Sequence, residues 1–279
     1  MTLEQTYLHF GKILSDNFSE REAKSLLYRL LEDKYGIHRL RIFTDQSFLI
    51  DSVTLQALGQ DIQALIHNCP IQHIVGYQEF CNRKFIVNPD VLIPRDETQQ
   101  LIQLICAEAD SKATILDIGT GSGAIAITLA LDIDGSKVIA WDISPKALIT
   151  ARQNAIQLSA KVEFELMDVF KAECPSNMFD IIVSNPPYVT QSQAKQMSPN
   201  VLDYEPYTAL FVSDENPLIF YMRIAELSKV SLKTGGSLYF EINEIFGKEM
   251  VSLLQKLDFR DIRLLNDINH KERFICAKK

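Results

Sequence analysis

The sequence predicts an α/β protein: a doubly wound, mostly parallel sheet preceded by a small helical bundle. Three observations predict it. From Leu3 to about Pro70, apolar residues recur at helical spacing. After Ser111, short apolar runs alternate with helical stretches, the pattern of a parallel sheet covered on both faces. A glycine-rich turn, Gly119-Thr120-Gly121-Ser122-Gly123, stands where the first strand of that alternation gives way to a helix.

The helical part is expected over residues 1–72. Ser19-Glu20-Arg21-Glu22 has the form of a capping box, with Ser19 as N-cap and Glu22 reaching back. It opens a stripe of Ala23, Leu26, Leu27, Leu30 and Leu31 that Gly36 stops. Asp51 or Ser52 caps a further helix carrying Val53, Leu55, Leu58, Ile62, Leu65 and Ile66. Pattern alone leaves two roles open for this part, a packing appendage or a substrate-recognition module.

Residues 73–95 read as a hairpin linker, because Gln78–Phe80 and Lys84–Val87 flank Cys81-Asn82-Arg83. Residues 96–279 form the sheet domain, opened by a helix around Thr98–Ala109. Seven strands are expected, at 113–118, 137–141, 162–166, 179–184, 237–242, 262–265 and 273–277. Helices at 124–131, 145–158, 217–232 and 248–257 connect them, and a long loop follows 179–184. The short link between the last two strands predicts an antiparallel hairpin at the sheet edge.

Composition bounds the function. The chain has 279 residues, 47% of them apolar, enough for a substantial core. Its net charge is −8, so no basic footprint points to duplex nucleic acid. Five widely spaced cysteines without a C-x-x-C pair argue against a disulfide framework or a zinc site, and no metal is expected. Met1–Gln5 lacks the character of a signal peptide, and no apolar stretch approaches membrane-spanning length. A cytoplasmic protein with reduced thiols, and no membrane association, is the expectation.

Three strand ends carry candidate binding groups. Glycines in the 119–123 turn let backbone pass close to a ligand, and the helix behind it presents free N–H groups. Asp142, ending the second strand, can accept hydrogen bonds from both hydroxyls of a ribose. Asp168 can reach an adenine amino group, and Val169 can offer the ring a backbone N–H. Plainer roles compete: a helix cap for Asp142 and a surface turn for Asp168. Gly119, Gly121 and Ala124 also fit a relaxed dinucleotide fingerprint, which keeps a nicotinamide enzyme open at this point.

Asn185-Pro186-Pro187-Tyr188 follows the apolar run Phe179–Ser184. Two prolines hold a rigid extended turn and fix an amide and a ring at the mouth of the sheet. An amide or ring-amine nitrogen is a poor nucleophile because its lone pair is delocalised. If Asn185 Oδ1 and the Pro186 carbonyl accept its two N–H hydrogens, the lone pair is oriented toward an electrophilic methyl group. Tyr188 can pack against the planar acceptor. A hydride-transfer enzyme needs no such device. By itself the tetrapeptide leaves adenine, cytosine and glutamine nitrogens equally open.

Asp117–Gly123, Asp142 and Asn185–Tyr188 together resemble the class I S-adenosyl-L-methionine-dependent methyltransferases that act on planar nitrogens. Pro70–Phe80, Val91–Thr98, Ser184–Tyr188, Glu205-Pro206…Ala209-Leu210 and Asp267…Arg273 resemble the signatures of the release factor glutamine methyltransferases. The resemblance implies a Rossmann-like seven-stranded domain using S-adenosyl-L-methionine, and a helical recognition domain. It implies methylation of the glutamine amide in the Gly-Gly-Gln loop of peptide chain release factors, these being the partners, with no direct nucleic-acid binding. Carried over by position, Asp117, Gly119, Thr120, Gly121, Ser122, Gly123, Asp142, Ile143, Asp168, Val169 and Asn185 hold the donor. Asn185, Pro186, Pro187 and Tyr188 hold the glutamine, with Asn185, Pro186 and Tyr188 carrying catalysis.

The chain departs from the family pattern at Asp96, where Pro is common, and at Gln99, where Glu is. Glu241-Ile242-Asn243-Glu244-Ile245-Phe246 lacks the usual Gly and Gln after its Glu. Arg95 and Glu97 therefore read as a surface salt bridge and a helix-start charge. The rivals are an adenine-N6 or cytosine-N4 nucleic-acid methyltransferase, which uses a similar tetrapeptide, and a non-catalytic donor-binding protein.

Overall fold

A computed structural model describes residues 1–45 and 47–279. The chain forms two compact units, one of Met1–Tyr77 with Ser198–Tyr204, the other of Gln78–Met197 with Glu205–Lys279. The helical unit thus runs past residue 72 and takes in a segment far downstream, which helical periodicity in the first 70 residues does not show.

The helical unit contains α1 (Leu3–Ser15), α2 (Glu20–Asp33), α3 (Arg39–Thr44), α4 (Ser52–Ile66) and α5 (Ile71–Val75). A full capping box opens α1: Gln5 N–H donates to Thr2 Oγ1, and Thr2 N–H to Gln5 Oε1. The box expected at Ser19 is only half made. Ser19 Oγ accepts from Glu22 N–H, while the exposed Glu22 side chain does not reach back. After α2 the chain turns at Gly36, whose φ of +64° lets Ile37 N–H return to the Leu31 carbonyl. Asp51 Oδ1 caps α4 by accepting from Val53 and Thr54 N–H. The amphipathic faces bury Leu3, Leu14, Leu27, Leu30, Leu58 and Ile62 completely; each such side chain contributes about 1.5–3 kcal/mol.

From Gln78 the second unit takes in all but the first residue of a two-stranded sheet, β1 (Tyr77–Phe80) and β2 (Arg83–Ile86), joined by Cys81 and Asn82, both at positive φ. The chain continues through α6 (Asp96–Glu108), β3 (Thr114–Ile118), α7 (Ala124–Asp132), β4 (Lys137–Asp142), α8 (Pro145–Leu158), β5 (Val162–Leu166) and β6 (Phe179–Ser184). The stretch expected as a long loop holds short elements: β7 (Val189–Thr190), a 3₁₀ turn, α9 (Pro199–Leu202), α10 (Tyr207–Leu210) and β8 (Phe211–Val212). Then come α11 (Ile219–Ser231), β9 (Leu232–Glu241), α12 (Gly247–Lys256), β10 (Arg260–Asn266) and β11 (Glu272–Lys278).

The main sheet has seven strands in the order β10-β11-β9-β6-β3-β4-β5. Pairs from β9 to β5 are parallel, whereas β11 pairs antiparallel with both β9 and β10. Successive side chains point to opposite faces. Ile115, Ile181 and Val183 therefore join one apolar core with Leu101, Ile127 and Leu129, while Leu116 and Ile182 join another with Tyr221, Phe240 and Met250. The strand order reverses between β3 and β6. In open parallel sheets a ligand binds beyond the carboxyl ends of the strands at such a point.

Candidate active site

Four strand ends meet at this reversal and are stitched by hydrogen bonds. Met167 N–H, beyond β5, donates to the Asp142 carbonyl at the end of β4. Gly119 and Thr120 N–H both donate to the Trp141 carbonyl. Ser184 Oγ, ending β6, donates to the Ile118 carbonyl over 2.6 Å and so joins the tetrapeptide loop to the glycine loop. The residues predicted from sequence for the donor and the acceptor thus converge on one edge.

The glycine loop is shaped by backbone conformation. Gly119, Gly121 and Gly123 have φ of +78°, +56° and +81°, in the left-handed region that other residues avoid. A Cβ would meet nothing at Gly119 or Gly121 but would strike Ile127 at Gly123. Two glycines therefore leave open space and the third allows close packing of α7. No side chain caps α7 at Gly123, though the Asp117 carboxylate draws on the Ala126 N–H in its first turn.

Two carboxylates line this loop. Asp117 is fully buried; its Oδ2 accepts from Thr120 Oγ1 over 2.7 Å, and its Oδ1 has no close partner among the described residues. Burial, reinforced by the nearby Asp142 charge and opposed by the Thr120 bond, pushes its pKa up to about 7. Asp142 Oδ2 accepts from Gly121 N–H and Oδ1 from Ser144 N–H, each over 2.8 Å. Ser144, not Asp142, caps α8 by accepting from Ala147 N–H. Burial raises the Asp142 pKa too, against the backbone donors that hold it. Ile143 is 62% exposed, an apolar side chain open to solvent beside this carboxylate.

Asp168 is more modestly placed. It accepts from Phe170 N–H and pairs with Lys171 in its own turn. The Val169 carbonyl takes a hydrogen bond from Arg223 Nε, and the same guanidinium reaches the Ala172 carbonyl, so α11 fixes this turn.

In the acceptor loop, the half-buried Asn185 side chain has no hydrogen-bond partner among the described residues. Pro186 is buried and Pro187 half-buried. Tyr188 points its hydroxyl inward and donates to Glu241 Oε1 over 3.2 Å. Burial, and the neighbouring Glu241 charge, hold its phenol far above the ordinary range.

Sequence reading missed the residues that brace these loops. Asn154, fully buried on α8, donates to the Ser122 and Ile86 carbonyls and accepts from Ile86 N–H. Glu241 and Asn243 bond Tyr188 directly, and Thr98 holds Glu241. Arg95 corrects a reading: it forms no surface salt bridge. Its guanidinium bonds to Glu205 Oε1 over 2.6 Å, and Glu205 is 1% exposed and also accepts from Ile93 N–H. The signatures Val91–Thr98 and Glu205-Pro206 thus serve each other. Glu97 lies in the first turn of α6, as expected of a helix-start charge.

Asp117 Oδ1 offers an unused buried acceptor, Asp142 a fixed carboxylate, and the glycines open backbone. Residues 109–255 match a family model described as a methyltransferase domain. A methyltransferase from Pyrococcus furiosus shares the fold at a TM-score of 0.54 and 17% identity, covering 79% of this chain and 98% of its own. The protein is a methyltransferase of the class that uses S-adenosyl-L-methionine.

Its relatives narrow the class. It is similar to a release factor glutamine methyltransferase of Bacteroides thetaiotaomicron, 45% identical over 95% of this chain and 96% of the relative. A namesake from Flavobacterium psychrophilum is 39% identical over 99% and 98%, and one from Koribacter versatilis 39% over 100% and 99%. The chain belongs to the release factor glutamine methyltransferase family.

Proposed function

We propose that this protein methylates the side-chain amide nitrogen of the glutamine in the Gly-Gly-Gln loop of peptide chain release factors, in the cytoplasm. The observation that carries this reading is the Asn185 amide, without a partner of its own, on a loop bonded through Ser184 to the glycine loop. The family and the names of the relatives support the acceptor.

When bound, S-adenosyl-L-methionine supplies an electrophilic methyl group on a sulfonium. Asp117, the 119–123 loop, Asp142, Ile143, Asp168 and Val169 hold that donor. Asn185 Oδ1 and the Pro186 carbonyl accept the two amide hydrogens of the glutamine and turn its lone pair toward the methyl group. Both oxygens favour the positive charge growing on nitrogen. Tyr188 forms a wall for the planar amide. Its hydroxyl is occupied by Glu241 and its phenol is held protonated, so it is no base. None is needed in advance, because the amide proton becomes acidic only as the methyl group arrives and then passes to water.

Nucleobase methylation is disfavoured by the net charge of −8 and by the family. No helix of the described residues is long and apolar enough to cross a membrane. The helical unit is the candidate grip on the factor, since Leu40 and Phe43, one turn apart on α3, are 76% and 60% exposed. Replacing both by Ser lowers activity on a whole factor more than on a short peptide; an equal fall on both would leave the unit a structural role.

The test is transfer of labelled methyl from the donor to purified release factor, set beside DNA and RNA. Label entering only the factor supports the reading, and label entering only nucleic acid overturns it.

A further inference from the structure

We propose that Glu241 is a positioning residue for methyl transfer, clamping Tyr188 from the end of β9 and so fixing the cradle that holds the acceptor amide. The inference rests on the reading of Asn185–Tyr188 as that cradle.

Prolines create the need for a clamp. Pro186 and Pro187 have no N–H groups, so they cannot tie the tetrapeptide down through backbone donors. Its position is set at its flanks. Upstream, Ser184 is bonded to Ile118. Downstream, Val189 and Thr190 pair with β8, and two residues of the strand adjoining β6 and its exit reach Tyr188 itself. β9 runs parallel to β6 with Ser184 opposite Phe240, so the residues after Phe240 emerge beside the tetrapeptide. Glu241 Oε1 accepts the Tyr188 hydroxyl over 3.2 Å. Asn243 Nδ2 donates to the Tyr188 carbonyl over 3.1 Å and to Gln193 Oε1 over 2.9 Å.

The chemistry of Glu241 shows what it is for. Its side chain is buried, which disfavours charge, and burial raises its pKa against the Thr98 bond, the Arg273 charge and the Tyr188 bond. An isolated carboxylate here would be costly. Yet both oxygens are in use: Oε2 accepts from Thr98 Oγ1 over 2.6 Å while Oε1 takes Tyr188. A carboxylate accepts two hydroxyl donors at once, whereas a carboxamide offers one acceptor oxygen and a donor. The backbone carbonyl of Glu241 is held as well, by the hydroxyl of buried Tyr221 over 3.0 Å. A residue held at three oxygens, with its carboxylate spent on two hydroxyls, serves as an anchor. Its effect is to draw the Tyr188 hydroxyl away from the cleft and leave the ring as the surface the acceptor meets. Thr98, in the Val91–Thr98 signature, gains a role through the same anchor.

The experiment compares Glu241→Gln, Tyr188→Phe and the double variant. It measures kcat and KM for methyl transfer to a release factor, donor affinity by calorimetry, and thermal unfolding. Glu241→Gln lowers kcat about 10- to 100-fold, as expected for a small misplacement of reacting groups, with donor affinity little changed. Tyr188→Phe keeps the ring but cuts the clamp, and lowers kcat to a similar degree. The double variant is no worse than the poorer single, because both remove one interaction. Wild-type kcat in Tyr188→Phe, or a double loss equal to the product of the single losses, would overturn the proposal. Should Glu241→Gln fail to fold, the Tyr188→Phe result decides. If the acceptor were wrongly identified, the wild-type enzyme itself would not modify the factor, an outcome separate from any ranking of variants.

Discussion

The loops that end β3 and β6 lie side by side, joined through Ser184 and Ile118, but they are held in different ways. The glycine loop is held mostly by its own backbone and by groups nearer in the chain: Thr120 to Asp117, Gly123 N–H to the Thr120 carbonyl, Gly121 N–H to Asp142, and Asn154, 32 residues on, to the Ser122 carbonyl. The Asn185–Tyr188 loop is held through Tyr188 by Glu241 at the end of β9 and by Asn243 just beyond it, 53 and 55 residues along the chain, with Thr98 of α6 holding Glu241 in turn. The difference follows from the tasks. A loop whose backbone must approach a ligand has to stay free of side chains and takes its shape from φ. A loop that must hold two acceptor oxygens at fixed spacing, and contains two prolines, has to be braced from outside.

The sharpest way to break this comparison is Asn185→Ala. It removes the amide from the acceptor loop and leaves the glycine loop intact. Transfer falls about 100- to 1,000-fold, the scale for losing one oriented polar group at the reacting centre. Donor affinity, measured by calorimetry, stays close to wild type. Loss of donor binding in parallel would show that the two loops do not act separately.

Next in size is the contrast between two glycines. Gly123→Ala forces a left-handed φ and a collision with Ile127 and Ala151, and costs about 2–4 kcal/mol in chemical unfolding. Gly121→Ala carries only the backbone strain, about 1–2 kcal/mol, because its Cβ meets nothing. Equal losses would mean that packing behind Gly123 does not matter. Arg95→Ala strands the buried Glu205 carboxylate and destabilises by about 1–3 kcal/mol, moderated because Arg95 is partly in solvent.

Asp117 yields a pH signature for the glycine loop alone. Its pKa of about 7 lies above that of an unfolded Asp, so the stability it contributes is complete in acid and lost as pH rises through 7. A cationic donor prefers the ionised form. Donor affinity therefore strengthens as pH rises toward 7, by up to about tenfold for each pH unit, and levels off above it; Asp117→Asn flattens the dependence. A profile unchanged in the variant would remove Asp117 from donor binding. The smallest effect belongs to the helical unit. Both ring nitrogens of His73 are buried without partners among the described residues, so His73→Phe raises stability by up to about 1 kcal/mol in thermal unfolding.

The legibility of the site divides along the same line. The glycine loop and its carboxylates are readable because strand, turn and helix are contiguous and their glycines report φ directly. The sheet is readable for the same reason: Phe179–Ser184 and Val162–Leu166 lie where their apolar runs place them. The bracing of Tyr188 is not. Glu241 and Asn243 stand at a strand end as ordinary polar residues, and only the β6–β9 pairing brings them to the tetrapeptide. Arg95 reads as a surface residue because its partner, Glu205, is 110 residues away and buried. The place of Ser198–Tyr204 in the helical unit is equally hidden, resting on contacts such as Tyr204 Oη to the His67 carbonyl.

The most direct measurement is peptide mapping by mass spectrometry of a release factor after reaction with the wild-type enzyme, Asn185→Ala and Tyr188→Phe. A single added methyl group on the glutamine of the Gly-Gly-Gln loop, lost with Asn185→Ala and diminished with Tyr188→Phe, is the predicted result. Methyl groups on other residues, or an unchanged yield with Asn185→Ala, would contradict it.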